Sequence, residues 1–390
     1  MENPFVEYVD ARRKEILDFL SRLVQMESPS QEKRCVDALI DVLEAAYRDL
    51  GFQTERLPRE QYGNHLIANL PGGEGPRVLF VGHADTVFPL GTLTTMPMRR
   101  EGDRLLGPGV VDMKGGLVVM LYAIQALLSL RGSLKGSLRV VVNSDEEPGS
   151  PTSRDLWPDL CKDVDWAFLL EPAQSDGGLV LRRKGVGIFH LTVKGRSAHA
   201  GAEPEKGASA IHVLAKKILD LEALADLSVG TTVNTGVIQG GTHPYVVPAE
   251  AKAVIDIRVP TLAERDRMLR DLKMVVERID LPGTQSNLEG KFHRPPLEPA
   301  PGIDILQKIV EEECRVLKFP VKWSRTGGAS DANNISAAGV PVVDGMGPVG
   351  GNAHSPEEYV DVPSLYQKIA LLGAVLDRLV GKESVRRRQS

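Results

Sequence analysis

Residues 77–87, RVLFVGHADTV, join a short apolar run to a polar turn, and this pairing decides the fold. The apolar part, RVLFV at 77–81, is typical of a buried strand. Two further runs repeat the arrangement: LRVVV at 138–142 precedes NSDEE, and WAFLL at 166–170 precedes a Glu-Pro pair. A helical pattern at 115–130 lies between the first two runs. This alternation of strands and helices predicts an α/β fold, in which helices cover both faces of a sheet.

The pattern of predicted strands and helices changes after the third apolar run. Between 183 and 293 the pattern predicts strand, helix, two strands, helix and strand. That β-α-β-β-α-β order is typical of a ferredoxin-like α+β domain. A proline-rich return at 295–301 then leads to further helices and a strand. We therefore expect one domain built from 1–182 and 294–390, with a second domain inserted at 183–293.

Composition excludes several classes of protein. A formal net charge of −5 over 390 residues argues against a nucleic-acid partner. The N-terminus lacks the pattern of a secretory signal, and the apolar segment 117–130 is predicted to be a buried helix rather than a membrane span. Three separated cysteines indicate reduced thiols and a cytoplasmic protein. The arginine run at 386–388 is interpreted as a solvated tail.

Histidines and carboxylates follow the predicted strands, where open α/β sheets build their sites. Two imidazoles and three carboxylates suffice for two zinc ions when one carboxylate bridges them. His83 is the first expected ligand, and Asp85, two residues later, is expected to orient its ring. Asp112, in the glycine-rich GPGVVDMKGG at 107–116, is the expected bridge. Of Glu146 and Glu147 in NSDEEPGS, one would bind zinc and the other would transfer a proton.

Taken together, these motifs resemble a known family. GHADTV, GPGVVDMKGG, NSDEEPGS, the Glu-Pro pair at 171–172, KGRSAHAG, RTGGASDA and the late His354 follow in family order. The chain is similar to the zinc-dependent exopeptidases and aminoacylases, which include glutamate carboxypeptidase, acetylornithine deacetylase and succinyl-diaminopimelate desuccinylase. The resemblance implies the zinc exopeptidase fold, a mixed sheet flanked by helices. It also implies that the inserted domain is a lid and dimerisation domain.

The resemblance also assigns roles to individual residues. One zinc is expected on His83, Asp112 and Glu171, and the other on Asp112, Glu147 and His354, with cobalt or manganese as possible substitutes. Glu146 becomes the general base. His199 in KGRSAHAG is expected to stabilise the oxyanion across a homodimer interface.

Substrate contacts are expected from a further set of residues: Arg258, Arg325, Gly327 and Gly328. Tyr245 stands where many relatives have asparagine, so substrate contacts in that loop are expected to differ. The leading hypothesis is cleavage of an amide bond in a peptide or N-acyl amino acid that carries a free carboxylate, closest to glutamate carboxypeptidase. An N-acyl amino acid deacylase similar to acetylornithine deacetylase is the alternative. A non-catalytic, metal-bound binding protein is a remote one.

Overall fold

The structure, a computed structural model, describes residues 3–381. The arginine run at 386–388, predicted to be a solvated tail, lies outside the described residues. The described chain forms two compact units. The first contains 3–181, 299–325 and 330–381, and the second contains 182–298 and 326–329. The second unit thus includes the segment expected as an insertion, together with four residues that follow the proline-rich return.

Before the ferredoxin-like segment, the described chain contains six α-helices and eight strands, the last of which crosses into the second unit. The helices are α1 (Pro4–Asp10), α2 (Arg13–Val24), α3 (Lys33–Asp49), α4 (Thr92–Thr95), α5 (Gly115–Arg131) and α6 (Trp157–Leu160). The strands are β1 (Gln53–Leu57), β2 (His65–Leu70), β3 (Arg77–His83), β4 (Arg99–Glu101), β5 (Arg104–Leu106), β6 (Ser137–Asn143), β7 (Trp166–Leu169) and β8 (Leu179–Arg183).

The second unit is a ferredoxin-like layer of four strands and two helices. Its elements are β9 (Gly185–Lys194), α7 (Ala210–Glu222), β10 (Thr232–Gly240), β11 (Glu250–Val259), α8 (Leu262–Glu277) and β12 (Gln285–Arg294). The antiparallel sheet has the order β10-β11-β9-β12. Alternate residues of β9 and β11 are buried and form, with both helices, a separate apolar core. The predicted ferredoxin-like element order is thus present.

The chain then returns to the first unit. The returning elements are α9 (Ile303–Leu317), β13 (Trp323–Thr326), α10 (Ala332–Ala337), β14 (Val342–Val343), β15 (Gly350–Gly351), β16 (Tyr359–Asp361) and α11 (Val362–Val380). β13 pairs with β8, and β15, β16, β5 and β4 form a small sheet.

The main sheet of the first unit is mixed, as predicted. Its order is β1-β2-β6-β3-β7-β14. β6, β3, β7 and β14 run parallel, whereas β2 pairs antiparallel with β6 and β1 with β2. The three apolar runs recognised in the sequence are the central strands, because only strands covered on both faces need continuous apolar sequence. The two antiparallel strands at one edge are more polar.

Helix α5 lies within the core of the first unit. Its residues from 115 to 124 are all buried, which explains why it is apolar on every side. The segment Val110–Arg131 is long and apolar enough to cross a membrane, but 78% of its most apolar window is buried inside the fold. A core helix therefore accounts for it, as the sequence predicted. By contrast, α3 buries one face, including Val36, Leu43 and Tyr47.

Candidate metal centre

Three parallel strands of the main sheet end beside one another. β3 ends at His83, which pairs in register with Asn143, the last residue of β6. β7 pairs with β3 on its other side and ends two residues before Glu171. Since the carboxyl ends of these strands share one edge, the side chains that follow them converge there.

The carboxylate of Asp112 lies between two histidines. Its Oδ1 is 3.2 Å from His83 Nε2, and its Oδ2 is 3.1 Å from His354 Nε2. Asp112 lies in the turn Val110–Lys114, directly before α5, and its peptide bond with Met113 is cis. His354 lies in the loop between β15 and β16. Each oxygen of one carboxylate thus faces a different imidazole.

Three glutamates complete the cluster. Glu171 Oε1 is 3.7 Å from His83 Nε2, and Glu147 Oε2 is 3.3 Å from His354 Nε2. Ligand atoms of His83, Glu146 and Glu171 lie within 4.8 Å of one another, as do those of His83, Asp112 and Glu147. The structure therefore brings all five predicted metal ligands and Glu146 together in the first unit.

Asp85 supports this cluster in two ways. Its backbone carbonyl lies 2.9 Å from His83 Nδ1 and can only accept a hydrogen bond, so Nδ1 carries the proton and Nε2 faces Asp112. Its carboxylate, fully buried, accepts hydrogen bonds from the backbone N–H groups of Glu146 and Glu147 at 3.1 and 3.2 Å. The ring of His83 is therefore oriented by the Asp85 carbonyl, and Asp85 Oδ1 lies 3.5 Å from the same ring nitrogen. The Asp85 carboxylate also holds the backbone of the acidic turn.

The electrostatics of the cluster favour positive charge at both imidazoles. Hydrogen bonds to Asp112 and Glu147 raise the pKa of His354 to about 10. Burial alone would lower the pKa of His83, but hydrogen bonds to Asp112 and Asp85 raise it well above its usual value. Burial raises the pKa of Glu147. For Asp112, burial acts in the same direction, but hydrogen bonds from His354 and His83 outweigh it and lower the pKa.

The donor set fits divalent metal ions. Glu147 Oε1 is buried and has no hydrogen-bond partner among the residues that the structure describes. A buried carboxylate oxygen of this kind is costly unless a cation compensates it. Imidazole nitrogens and carboxylate oxygens are ligands that zinc and related metals bind in proteins. A metal ion bound here would therefore compensate Glu147 Oε1 and could be held by the imidazole nitrogens and carboxylate oxygens that converge at this edge of the sheet.

Known proteins resemble this chain along most of its length. Residues 79–378 match the model of peptidase family M20/M25/M40. The chain belongs to this family. Carboxypeptidase G2 from Pseudomonas sp. (strain RS-16) is 28% identical over 377 residues, which cover 94% of this chain and 90% of that protein. Succinyl-diaminopimelate desuccinylase from Gluconacetobacter diazotrophicus is 30% identical over 367 residues, or 88% of this chain and 92% of that protein.

A protein of known structure has the same fold. Aminopeptidase PepT from Bacillus cereus superposes with a TM-score of 0.81 at 22% identity, covering 94% of this chain and 98% of that one. The resemblance drawn from the motifs is thus confirmed, and so is the predicted fold. This M20 family member is a metal-dependent hydrolase.

Other predicted residues lie in the second unit. His199 is exposed, and its Nδ1 accepts hydrogen bonds from Gly201 N and Ala202 N at 3.2 and 3.0 Å. Arg258 binds Asp256 Oδ1 through Nε at 3.0 Å and donates through Nη1 to the Gly327 carbonyl, also at 3.0 Å. The Gly328 carbonyl accepts from Arg183 at 3.4 Å. Arg258 and Gly327 are therefore neighbours, and Asp256 already occupies one edge of the guanidinium.

The remaining features fall outside the cluster. Arg325 is exposed on β13. Tyr245 is 59% exposed and stacks on His243 with ring centroids 5.3 Å apart. Its carbonyl accepts a hydrogen bond from Ala200 N, so the loop that departs from the family pattern lies directly against the His199 loop.

Two residues that support the cluster were missed by sequence reasoning. Ser30 donates to the Asp85 carboxylate at 2.7 Å, and Glu358 accepts hydrogen bonds from the backbone of the Asp112 turn. Ser30 is part of an ordinary polar stretch, and nothing around it signals a role. The signal for Glu358 was its position four residues after His354, on the segment that already carried a predicted ligand.

Proposed function

We propose that this protein is a two-metal amidohydrolase that cleaves a peptide or an N-acyl amino acid with a free carboxylate, in the manner of a glutamate carboxypeptidase. The observation that carries the proposal is the placement of the Asp112 carboxylate between His83 and His354. A carboxylate that presents one oxygen beside each of two imidazoles could be shared by two neighbouring metal ions.

The ligands divide into two sets that share Asp112. His83, Asp112 and Glu171 would hold one ion, and Asp112, Glu147 and His354 the other. Zinc fits this donor set, and cobalt or manganese could take its place. Bound ions of this type supply Lewis-acid polarisation of the scissile carbonyl and activation of water. Every other task falls to side chains of the protein.

Glu146 is assigned the proton transfer. Its backbone is fixed by the Asp85 carboxylate, and its own carboxylate lies with those of the predicted ligands around His83. From there it takes a proton from the attacking water and delivers it to the leaving nitrogen. Glu147 is its neighbour in sequence, and Glu147 Oε2 lies 3.3 Å from His354 Nε2, so this second carboxylate is directed at the other imidazole.

His199 is assigned to the oxyanion, as a donor from the second subunit of a homodimer. Because its Nδ1 accepts two backbone hydrogen bonds, the neutral ring carries its proton on Nε2, which makes Nε2 a donor. The second unit also exposes apolar side chains on α7 and the edge strand β10: Ile211, Leu219, Val237 and Ile238. An exposed apolar edge strand supports pairing with a second copy.

Recognition of the substrate carboxylate is assigned to Arg258 and Arg325, and Gly327 and Gly328 are assigned to further contacts with the substrate. A guanidinium suits this planar task. Three free cysteines, two of them buried, support a cytoplasmic location.

A deacylase is the second candidate, because a desuccinylase is among the relatives that match along most of their length. A panel of dipeptides, N-benzoyl, N-acetyl and N-succinyl amino acids separates the two candidates. Turnover restricted to N-acetylornithine or N-succinyl substrates would exclude the carboxypeptidase assignment.

The central experiment combines metal analysis with activity. We expect two metal equivalents per chain in the reconstituted protein, and Glu146→Ala should retain both while losing about 10²–10⁴-fold in kcat. Glu60→Ala, which removes an exposed glutamate of the same unit, is the matched control and should retain activity. Metal-loaded wild type that is inert on the whole panel, and binds the ligands as tightly as Glu146→Ala does, would establish a binding protein instead.

A further inference from the structure

Glu358 is a buried carboxylate directed at the turn that carries Asp112. Its side chain is fully buried. Oε1 accepts hydrogen bonds from the backbone N–H groups of Val111 and Asp112 at 2.8 and 3.1 Å, and Oε2 accepts one from Gly109 at 3.3 Å. One carboxylate therefore satisfies three backbone donors in four residues, including the N–H of the predicted bridging ligand itself.

The same residue is tied to the loop of His354. Glu358 follows His354 by four residues and directly precedes β16, which pairs with β5. Its backbone carbonyl also accepts a hydrogen bond from Gly107 N at 3.2 Å. Backbone and side chain of Glu358 thus bind both ends of the segment 107–112. A displacement of this residue would move the two segments that supply Asp112 and His354.

Burial raises the pKa of the Glu358 carboxyl group to about 7, so its negative charge needs compensation within the fold. Lys114 is 1% exposed, and its ammonium, which donates to the Met26 carbonyl at 2.8 Å, also attracts the Glu358 carboxylate. Charge-assisted hydrogen bonds to backbone N–H groups are among the strongest available to a carboxylate. Because both oxygens of Glu358 accept such bonds, they are committed to the turn and are not offered to a metal ion.

We propose that Glu358 is a positioning residue of the metal centre, which holds the Asp112 turn against the His354 segment so that the Asp112 carboxylate stays between His83 and His354. This inference rests on the proposed metal centre. Groups that orient metal ligands from outside the coordination sphere typically change metal affinity by about 10–100-fold when they are replaced.

The test is metal affinity, measured by competition with a chromophoric chelator on the full-length protein. Glu358→Gln keeps the shape of the side chain but replaces one acceptor oxygen by a donor that faces a backbone N–H. We expect binding about 10–100-fold weaker than in wild type, and a shifted visible spectrum of the Co²⁺-loaded protein. Glu357→Gln is the matched control, since the adjacent glutamate is exposed and pairs with Arg99 at 3.1 Å; it should bind metal as wild type does.

The possible outcomes separate this inference from the proposed function. Wild type that binds no metal would overturn the proposed function. Wild type that binds metal, with a folded Glu358→Gln of equal affinity and unchanged Co²⁺ spectrum, would overturn the positioning role alone. If Glu358→Gln does not fold, Glu358→Asp replaces it in the test, because the shorter side chain keeps the charge but does not reach the turn. Its metal affinity and Co²⁺ spectrum are then compared with those of wild type. Failure of both variants to fold without metal would assign Glu358 to the fold only and would also overturn the inference.

Discussion

Replacement of His199 by alanine tests whether the oxyanion donor comes from a second subunit. The side chain is exposed, and the two backbone N–H groups that donate hydrogen bonds to it can bind water instead. The substitution should therefore cost little folding stability. What is lost is the Nε2 donor. Deletion of one such donor typically costs about 2.7–4 kcal/mol of transition-state stabilisation, or about 10²–10³-fold in kcat. We expect that loss, with the metal content unchanged.

Heterodimers purified through two different tags locate the donor. In a dimer of His199→Ala with Glu146→Ala, one centre has Glu146 of its own subunit and His199 of the partner subunit. About half of the wild-type activity should therefore return, because one of two sites is complete. In a dimer of wild type with the Glu146→Ala/His199→Ala double variant, neither centre is complete, and almost no activity should remain.

The two heterodimers give the opposite pattern if His199 serves its own subunit. The first would then be as inactive as its parents, and the second would keep about half of the wild-type activity. That pattern, or a protein that is monomeric and fully active at assay concentrations, would refute the trans assignment. Steady-state kcat on the best substrate of the panel is the measurement in each case.

Three further predictions concern stability. Lys368 is 7% exposed, and burial lowers its pKa to about 8; Lys368→Met should therefore stabilise the protein at pH 7 by up to about 3 kcal/mol. That advantage should shrink as the pH rises from 8 towards 10.5, where the folded lysine is neutral and the unfolded one still protonated, and a pH-independent difference in urea unfolding would contradict it. Lys217→Met removes a fully buried ammonium that donates to three backbone carbonyls and pairs with Asp280 at 3.0 Å, and should cost about 3–5 kcal/mol in the same assay. Gly116→Ala would place a Cβ 1.9 Å from the Leu170 carbonyl, beside Glu171; we expect a loss of about 1–3 kcal/mol together with weaker metal binding, and an unchanged melting temperature would show that the helix can move away.

Much of the architecture could be predicted because the apolar runs and the alternation of strands and helices are clear in the sequence. The central strands are covered on both faces, so their continuous apolar runs stand out, and the second unit repeats an element order with clear alternation. The strands β1 and β2 were missed. β1 is a largely polar edge strand, since an edge strand needs only one apolar face, and β2 beside it is interrupted by His65 and Asn69. The candidate metal ligands could be named from the sequence because histidines and carboxylates follow predicted strand ends, and because the motifs occur in family order.

The sequence by itself determined which residues could form the centre: the strands that end at one edge, the glycine-rich turn of Asp112 and the acidic pair Glu146 and Glu147. Only the tertiary structure decided what holds them there. Asp85 reaches its partner Ser30 across 55 positions, and Glu358 reaches Asp112 across 246. Ser30 supports the carboxylate of Asp85, and Glu358 supports backbone N–H groups of the Asp112 turn, and any polar side chain nearby could make such hydrogen bonds. Which one does so depends on the path of the chain in space, and that path leaves no local pattern in the sequence.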